Sequence, residues 1–299
     1  MDNFDKVILL ELAYNCRLPY QTIARKLNIS SNAVKKRVDK LVEEGVITSF
    51  TVDLSLSMFG GDMALLNVTT DGSEDEDEFC DTLGSSQLIG VVGPGSGHSY
   101  IAFSTYIGAE GLSELSQFVR SQSCVKEVRI EPILYPKGKK VHYTKSHLRI
   151  LRYLIKDPRM PVADIGKLTK LAPRTVRRLI NEIVEGEGIR LGIMWDLSAG
   201  DGIGFLVRVE WRPDKADLPK ILHWLNRIPE FYTPILVATE PTLYASFVAS
   251  DVSQIDEITK RFKSSDIISK YTTILGKRSR NYPDLRQYKL EELLKGIPI

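Results

Sequence analysis

Residues 28–47 read Asn28-Ile-Ser-Ser-Asn-Ala-Val-Lys-Lys-Arg-Val-Asp-Lys-Leu-Val-Glu-Glu-Gly-Val-Ile47, and roughly 142 residues later residues 170–189 read Lys170-Leu-Ala-Pro-Arg-Thr-Val-Arg-Arg-Leu-Ile-Asn-Glu-Ile-Val-Glu-Gly-Glu-Gly-Ile189. These are two versions of one unit. Each has an apolar triplet at helical spacing, which is Val34, Val38 and Leu41 in the first and Val176, Ile180 and Ile183 in the second. Basic residues stand beside both triplets. A repeated helix that is apolar on one side and cationic on another indicates a protein that binds nucleic acid through two equivalent elements.

The composition is that of an ordinary globular chain of about two domains, with 299 residues, 43% hydrophobic and 26% charged. Net charge is only +2, so a nucleic-acid surface must be a local patch. No apolar run approaches the ~20 residues that span a membrane. The acidic start, Met1 to Lys6, does not resemble a signal peptide. Cys16, Cys80 and Cys124 fit neither a disulfide framework nor a zinc pattern. We therefore predict a cytoplasmic protein with no membrane partner, no metal and no cofactor.

Three short helices followed by a strand are predicted for residues 1–55. Periodicity favours a helix from Phe4 to Tyr14, and Pro19 begins the next. Asn28 tolerates the left-handed turn, and either Ser30 or Ser31 caps the third helix. An alternating strand follows Gly45. This order is typical of a winged helix-turn-helix domain.

The order β-α-β-β-α-β is predicted for residues 60–135. Ser73 with Glu76 suggests a capping box for the first helix. A hairpin turn is expected at Pro94 to Gly97. This succession of elements is that of a ferredoxin-like domain.

The second half repeats the plan after a lysine-rich connector from Tyr135 to Lys145. We predict a second winged helix-turn-helix domain at 143–198, a second ferredoxin-like domain at 202–278 and a C-terminal tail helix at 279–299. The predicted fold class is α+β, with the two kinds of domain alternating. The basic residues around the connector either follow a phosphate backbone or form a flexible soluble linker, and the sequence leaves both open.

The chain resembles the Lrp/AsnC (feast/famine) transcriptional regulators. The resemblance rests on the segment Phe4 to Leu12, on Ile23-Ala24 and Leu27, and on Ser31 to Ile47. It implies DNA binding by the helix-turn-helix domains, and effector binding and oligomerisation by the ferredoxin-like domains. The second copy matches less closely, with Leu179 in place of an arginine. The tandem arrangement departs from the family, whose typical members carry one copy and dimerise.

The candidate DNA-contacting residues lie on the exposed side of each repeated helix, because a recognition helix needs donors near its N-terminus. Asparagine suits adenine edges, and lysine and arginine suit phosphates or guanine. Arg37 contacts a phosphate or pairs with Glu43 or Glu44 within the domain. A plain solvated face is the alternative for each helix. The candidates are Ser31, Asn32, Lys35, Lys36, Arg37, Arg174, Thr175, Arg177 and Arg178.

The segment Val92 to His98 is rich in glycine but lacks the Lys-Ser/Thr ending of a phosphate-binding loop. By position it is the hairpin of the first ferredoxin-like domain, near where the resembled family binds small effectors. The candidate effector-binding residues are Gly93, Gly95, Gly97 and His98. A tight turn without a ligand is the alternative.

We predict a DNA-binding transcriptional regulator that is not an enzyme, with double-stranded DNA and a small effector such as an amino acid as partners. The two halves are expected to form an intramolecular pseudo-dimer, with higher homo-oligomers left open. Two alternatives remain. One is a siroheme decarboxylase-like tetrapyrrole enzyme, which resembles the same tandem fold, and the other is an architectural DNA-binding protein. The basic repeated helices and the scarcity of histidine favour the regulator.

Overall fold

The computed structural model describes residues 1–200, 202–228 and 232–297. The chain divides into two compact units, each built from corresponding pieces of both repeats. The helix-turn-helix unit comprises Asn3–Gly61, Pro136–Trp195 and Leu285–Ile299. The sheet unit comprises Met1–Asp2, Asp62–Tyr135 and Asp196–Asp284. Like domains are therefore grouped with like, although they alternate along the chain.

The first helix-turn-helix domain contains α1 (Asn3–Tyr14), α2 (Tyr20–Leu27), α3 (Ser31–Glu43) and β1 (Ile47–Leu54). Asn28 ends α2 in the left-handed conformation, with a φ of 54°. The hydroxyl of Ser30 accepts a hydrogen bond from the amide of Ala33 at 3.1 Å. Of the two predicted caps, Ser30 is therefore the one that begins α3.

The first ferredoxin-like domain contains β2 (Gly61–Thr70), α4 (Glu76–Gly84), β3 (Ile89–Gly95), β4 (Ser99–Ile107), α5 (Gly108–Arg120) and β5 (Val125–Ile133). The predicted capping box of Ser73 with Glu76 is wrong. Glu76 is the first helical residue, and Asp75 caps α4 by accepting from the amides of Asp77 and Glu78, both at 3.0 Å. The hydroxyl of Ser73 instead donates to Asp71 at 2.6 Å.

The hairpin between β3 and β4 turns later than expected. Strand pairing continues to Gly95, which lies opposite Ser99. The turn consists of residues 96–98, where Gly97 and His98 have left-handed φ values of 69° and 55°. Glycine suits the first of these positions because it has no Cβ to clash in that conformation.

The second helix-turn-helix domain contains α6 (Lys145–Leu154), α7 (Val162–Thr169), α8 (Pro173–Glu185) and β6 (Ile189–Trp195). Pro173 occupies the first turn of α8, where a helix accepts proline. Lys170 is left-handed with a φ of 55°, so it reproduces the conformation of Asn28 at the equivalent turn. The two turns share a backbone geometry although their residues differ.

The second ferredoxin-like domain contains β7 (Ile203–Trp211), α9 (Leu218–Leu225), β8 (Tyr232–Leu236), β9 (Thr242–Ala249), α10 (Val252–Ser264) and β10 (Ile268–Leu275). The sequence pattern predicts a strand over residues 231–238, and Phe231 lies outside the described residues. Asp217 caps α9 by accepting from the amide of Lys220 at 3.0 Å. Asp251 caps α10 by accepting from the amide of Gln254, also at 3.0 Å.

The sheets repeat one topology. The second domain has the strand order β10-β7-β9-β8, and the first has β5-β2-β4-β3 with an added edge strand, β11 (Arg280–Asn281). Because β11 follows β10 and pairs with β3, the chain returns to the first domain after completing the second. α11 (Leu285–Leu294) then follows in the helix-turn-helix unit, where it packs against β1.

Within the sheet unit, the two ferredoxin-like domains exchange contacts reciprocally. The end of β5 bridges Val237 through Ile133, and the end of β10 bridges Gly95 through Gly276. A buried cluster containing Leu65, Val237 and Tyr244 draws on both domains. The two copies thus pair inside one chain.

A buried polar network crosses this pairing on one side. Glu131 of β5 accepts from Arg208 of β7 at 3.2 Å and from the hydroxyl of Tyr244 on β9. Burial and the adjoining carboxylate raise the pKa of Tyr244. By strand register the equivalents of Arg208 and Tyr244 in the first copy are Asn67 and Ile101, so the two halves of the interface have diverged.

The connector is held against the helix-turn-helix unit, which argues against the flexible-linker interpretation. The amide of Ser57 donates to the carbonyl of Lys137 at 2.9 Å, and the amide of Lys139 donates to the carbonyl of Glu187 at 3.1 Å. Between them Gly138 is left-handed, and a Cβ there would lie 2.3 Å from the Glu187 carbonyl oxygen. Only glycine permits this close approach.

Candidate nucleic-acid interface

The helix α3 buries one side and exposes donors on the other. Val34, Val38 and Leu41 are buried, as their spacing predicted. Ser31 is half-buried at the start of the helix. Three further candidates are exposed, namely Asn32, Lys35 and Lys36. Neither lysine forms an ion pair with a described residue. Exposed donors at the N-terminal end of a helix have the arrangement that major-groove contact requires.

The helix α8 shows the same division. Val176, Ile180 and Ile183 are buried, and Leu179 is buried beside them. Arg174 and Arg177 are exposed, and no described residue forms an ion pair with either. Thr175 is half-buried. The second copy therefore presents Arg174 and Arg177 at the positions of Asn32 and Lys35 in the first.

Arg37 is engaged within its own domain. Its guanidinium donates to the carboxylate of Asp5 on α1 at 2.8 Å and lies 5.1 Å from the centre of the Phe4 ring. The suggestion that Arg37 pairs with Glu43 or Glu44 is wrong, because its side chain points back toward α1. The contact anchors α3 to α1, and Leu179 takes this place in α8.

Arg178 is also engaged, through a chain of three residues. It pairs with Glu182 one turn along α8, at 2.5 Å, and Glu182 lies 3.0 Å from Nε2 of His147 on α6. Burial opposes ionisation of Glu182, but hydrogen bonds from Arg178 and His147 outweigh it and lower the pKa of this carboxyl. Lys40 occupies the equivalent of Glu182 in α3, so the exposed side of α8 is less cationic.

Strand pairing joins the two helix-turn-helix domains. β1 and β6 run antiparallel, with Phe50 opposite Ile193 and Leu54 opposite Ile189. Asp53 of β1 faces Arg190 of β6 and pairs with it at 3.3 Å, while Arg286 of α11 lies 4.0 Å away. Burial raises the pKa of Asp53, but Arg286 and Arg190 outweigh it and leave this pKa below its ordinary value. Both recognition helices thus belong to one connected unit.

The glycine hairpin borders a cavity of about 320 Å³ in the sheet unit. Three predicted residues line it, namely Gly95, Gly97 and His98, while Gly93 does not. Gly95 is tightly placed, since a Cβ there would lie 2.7 Å from the Ile274 side chain. The other lining residues are Gly72, Glu74, Glu76, Ser96, Tyr100 and Lys277.

Glu74 gives this cavity its chemistry. One carboxylate oxygen accepts from the hydroxyl of Thr70 at 2.5 Å and from that of Tyr100 at 2.9 Å. The other oxygen is buried and has no hydrogen-bond partner within the described part of the chain. Burial raises the pKa of Glu74, but the two hydroxyl groups outweigh it and lower this pKa overall. An unpaired buried carboxylate oxygen is a position for a donor from outside the chain.

Sequence reasoning missed Glu74, Tyr100 and Lys277. Glu74 stands in the acidic run of residues 74–78, which as a pattern suits the first turn of a helix, but α4 starts only at Glu76. Lys277 comes from the segment that follows β10, and Gly95 bridges the neighbouring Gly276. A signal for Glu74 was available in the position of Asp75, which suits a helix cap.

The cysteines and membrane-related features add little chemistry. Cys16, Cys80 and Cys124 are buried and free. Burial raises the pKa of the Cys16 and Cys80 thiols to about 11, which leaves them protonated and unreactive near neutral pH.

Across residues 1–200, 202–228 and 232–297, no helix is long and apolar enough to cross a bilayer.

Comparison with known proteins gives consistent matches. A family described as winged helix-turn-helix DNA-binding matches residues 1–48 and 144–185. The chain is 48% identical over 56 residues to the HTH-type transcriptional regulator LysM of Sulfurisphaera tokodaii, covering 19% of this chain and 40% of LysM. It is 42% identical over 60 residues to LrpA of Pyrococcus horikoshii, covering 20% and 43%. In its first helix-turn-helix domain the chain is thus similar to regulators of the Lrp/AsnC type.

The match to these Lrp/AsnC relatives spans less than half of their own length. Among solved structures, the siroheme decarboxylase NirDL is similar over 99% of both chains, with a TM-score of 0.55 and 14% identity. Its complex with an iron-uroporphyrin III analogue gives a TM-score of 0.57 and 13% identity. AsnC of E. coli covers 48% of this chain and 97% of its own, with a TM-score of 0.33 and 20% identity. The NirDL likeness shows that this tandem α+β fold occurs in another chain.

Proposed function

We propose that this chain is a DNA-binding transcriptional regulator that contacts double-stranded DNA through both α3 and α8. The observation that carries the proposal is an exposed cation at equivalent positions of the two recognition helices, Lys35 in α3 and Arg177 in α8, neither of which forms an ion pair with a described residue. The pairing of β1 with β6 joins the domains that carry these two helices. Their weak electrostatic contacts with DNA reinforce each other, because once one helix is bound the other meets the DNA at a high effective concentration.

The two helices are suited to different DNA contacts. Asn32 can read an adenine edge, and Lys35 and Lys36 can take phosphates or guanine. Arg174 and Arg177 can bind guanine or phosphate in the bidentate manner that lysine cannot. Because Arg37 and Arg178 are held by Asp5 and Glu182, we assign them supporting roles. We also place the protein in the cytoplasm, where its DNA would lie.

A small effector is part of the proposal. The cavity beside the hairpin offers Glu74 with one unpaired oxygen, together with Lys277 and His98. A ligand with both an ammonium and a carboxylate group, such as an amino acid, complements this set of charges. Lys277 pairs with Glu76 across the junction of the two ferredoxin-like domains, so a ligand there acts on their pairing.

The DNA test begins with selection of bound genomic fragments by the purified chain. The recovered duplex is then titrated with wild type, with Lys35→Ala/Lys36→Ala, and with a control carrying Lys260→Ala/Lys263→Ala, whose lysines are exposed on α10. Loss of specific binding only in the first variant supports the proposal. Equal binding by all three contradicts it. Binding without sequence preference would indicate an architectural protein.

The effector test is a thermal-shift screen with amino acids. Glu74→Gln removes the charge at the cavity, and Glu78→Gln makes the same change at an exposed position of α4 as a control. Stabilisation that is lost only in Glu74→Gln supports the site. Stabilisation that survives Glu74→Gln places the ligand elsewhere.

A tetrapyrrole enzyme is the second candidate, favoured by the likeness to NirDL over 99% of both chains. The relevant probe is iron uroporphyrin III added to the purified chain. A shifted Soret band that titrates to one equivalent, without specific DNA binding, would favour the enzyme. Specific DNA binding with no spectral shift favours the regulator.

A further inference from the structure

A larger cavity, of about 660 Å³, lies between α9 and α10 of the second ferredoxin-like domain. We call it the α9–α10 cavity. It is separate from the hairpin cavity in its residues and belongs entirely to one domain. The side chains that matter for its chemistry are Lys220, His223, Trp224, Arg227, Arg261 and Asp266.

The spacing along α9 explains how one wall is formed. Lys220, Trp224 and Arg227 are four and seven residues apart, so they project from one side of the helix. The side chain of Asp217 fixes the start of α9 by capping the amide of Lys220. The opposite wall comes from the last turn of α10 and the loop before β10, which supply Arg261 and Asp266.

The cavity has an excess of positive charge. Lys220, Arg227 and Arg261 are basic side chains, and all three are exposed. Asp266 is the acidic residue among those that line it, and this carboxylate is paired with Lys215 at 3.6 Å. No described residue forms an ion pair with Arg227 or Arg261. Two unpaired guanidinium groups at one cavity match the oxygen atoms of a phosphate.

The floor of the cavity is apolar and aromatic. Trp224 is half-buried, and its ring meets Phe262 edge-on at 5.1 Å. Ile228 and Ile267 are buried beside it. A ligand that fits both features carries a flat ring for the tryptophan and a phosphate for the arginines.

The first ferredoxin-like domain lacks this chemistry at the equivalent place. Asp75 caps α4 as Asp217 caps α9, so the two helices align. At the positions of Lys220 and His223, α4 has Glu78 and Asp81. Asp81 is bound by Arg280 at 3.0 Å. The basic cavity is therefore a feature of one copy and is not a consequence of the fold.

We propose that the α9–α10 cavity binds a phosphate-bearing ligand of the nucleotide class, with Arg227 and Arg261 on the phosphate and Trp224 against the base. Such a ligand can come from two sources, a free nucleotide or a nucleic-acid strand. Their shared chemistry is the phosphate beside an aromatic ring.

Calorimetric titration of the full chain with ATP, pyrophosphate and adenosine tests the proposal. Wild type should bind ATP saturably and more tightly than pyrophosphate or adenosine. Arg227→Gln/Arg261→Gln should weaken ATP binding at least about tenfold, since each charge-assisted contact contributes substantially. Lys260→Gln/Lys263→Gln, the same charge change outside the cavity lining, should leave it unchanged. Trp224→Ala should weaken ATP but not pyrophosphate, with circular dichroism confirming that each variant is folded.

DNA competition distinguishes the two sources. If duplex or single-stranded DNA displaces ATP and Arg227→Gln/Arg261→Gln lowers DNA affinity, the ligand is a nucleic acid. If DNA leaves ATP binding unchanged, it is a free nucleotide. The proposal is overturned if folded wild type binds neither ATP nor pyrophosphate at millimolar concentration, or if both double variants lose ATP equally. None of these outcomes depends on DNA binding by α3 and α8, which Lys35→Ala/Lys36→Ala reports separately.

Discussion

Arg37 on the first recognition helix donates a hydrogen bond to Asp5 on α1 at 2.8 Å. In the second copy the equivalent of Asp5 is His147, which meets Glu182 on the other recognition helix at 3.0 Å. Each recognition helix is thus tied to the first helix of its own domain by a polar pair, but the acidic partner lies on α1 in the first copy and on the recognition helix α8 in the second. In the first copy the pair engages a cation of the recognition helix, Arg37. In the second copy it places an anion, Glu182, on the surface of the recognition helix.

Arg37 should therefore matter to stability more than to DNA affinity. Replacing Arg37 with glutamine removes the pair with Asp5 and the contact with Phe4, at a cost of about 1 kcal/mol for a partly buried pair. Denaturant unfolding of Asp5→Asn, Arg37→Gln and the double variant measures their coupling. If the two losses simply add, the pair contributes nothing, and a large loss of DNA affinity at full stability would make Arg37 a phosphate contact.

The lysines of α3 should control how DNA binding depends on salt. Replacing Lys35 and Lys36 with alanine should lower the slope of log affinity against log salt by roughly 2, about one for each lost phosphate contact. Arg177→Ala should reduce affinity through the second helix. An unchanged affinity in Arg177→Ala, beside a large loss in the lysine variant, would make the second domain structural only.

Removing the anion on α8 should strengthen DNA binding. Glu182→Gln takes a negative charge from beside the recognition surface and releases Arg178 from its ion pair. We expect a several-fold gain in affinity at low salt that fades at high salt, because screening removes the effect. The matched control is Glu185→Gln, an exposed acid at the end of the same helix. A gain of the same size in both variants would show only a change in net charge.

Asp53 should make the helix-turn-helix unit sensitive to acid. Arg286 and Arg190 hold the pKa of this buried carboxyl below its ordinary value. Because the pKa of Asp53 is lower in the folded state, the ionised carboxylate stabilises the fold fully above the unfolded pKa of 3.8. This stabilisation is lost as pH falls through the folded pKa. Asp53→Asn should therefore destabilise the chain near neutral pH and flatten the acid limb of its stability profile below about pH 4. An acid limb that keeps its slope in the variant would show that other carboxyls govern it.

The binding site on DNA should have two unlike halves. The recognition helices differ at the exposed positions, with lysines in α3 and arginines in α8, while β1 and β6 join them in one chain. Footprinting of a selected fragment should give two protected segments of different sequence. A perfectly palindromic site, read by two whole chains through α3 alone, would contradict this intramolecular pairing on DNA.

Local chemistry explains why much of the fold could be predicted. The period of Val34, Val38 and Leu41 defines the buried side of α3 without reference to the rest of the chain. Asn28 and Ser30 act on their own backbone, and the structure places Asn28 at the left-handed turn and Ser30 at the cap, one of the two serines predicted for it. Alternation of strands and helices was sufficient for the ferredoxin-like domains. Where the local rule had two solutions, as with Ser73 and Asp75, the prediction was wrong.

The site depended on contacts that no local pattern encodes. The exposure of Asn32, Lys35 and Lys36 follows from helix periodicity, but the engagement of Arg37 and Arg178 required knowing what faces them. Glu74 acquires its unpaired oxygen because Thr70 and Tyr100 occupy the other one. Lys277 reaches the same cavity from the far end of the second domain.

The sequence by itself determined the order of the main helices and strands, the two repeated helices α3 and α8 and their apolar sides, because short-range periodicity and capping depend on neighbours in the chain. Only the tertiary structure decided that β1 pairs with β6, that β11 joins the sheet of the first domain, and that Lys220, Arg227 and Arg261 surround one cavity. Strand partners and convergent charges are set by packing between distant segments. Such packing depends on the whole folded chain, so the local sequence patterns of single helices and strands do not predict it.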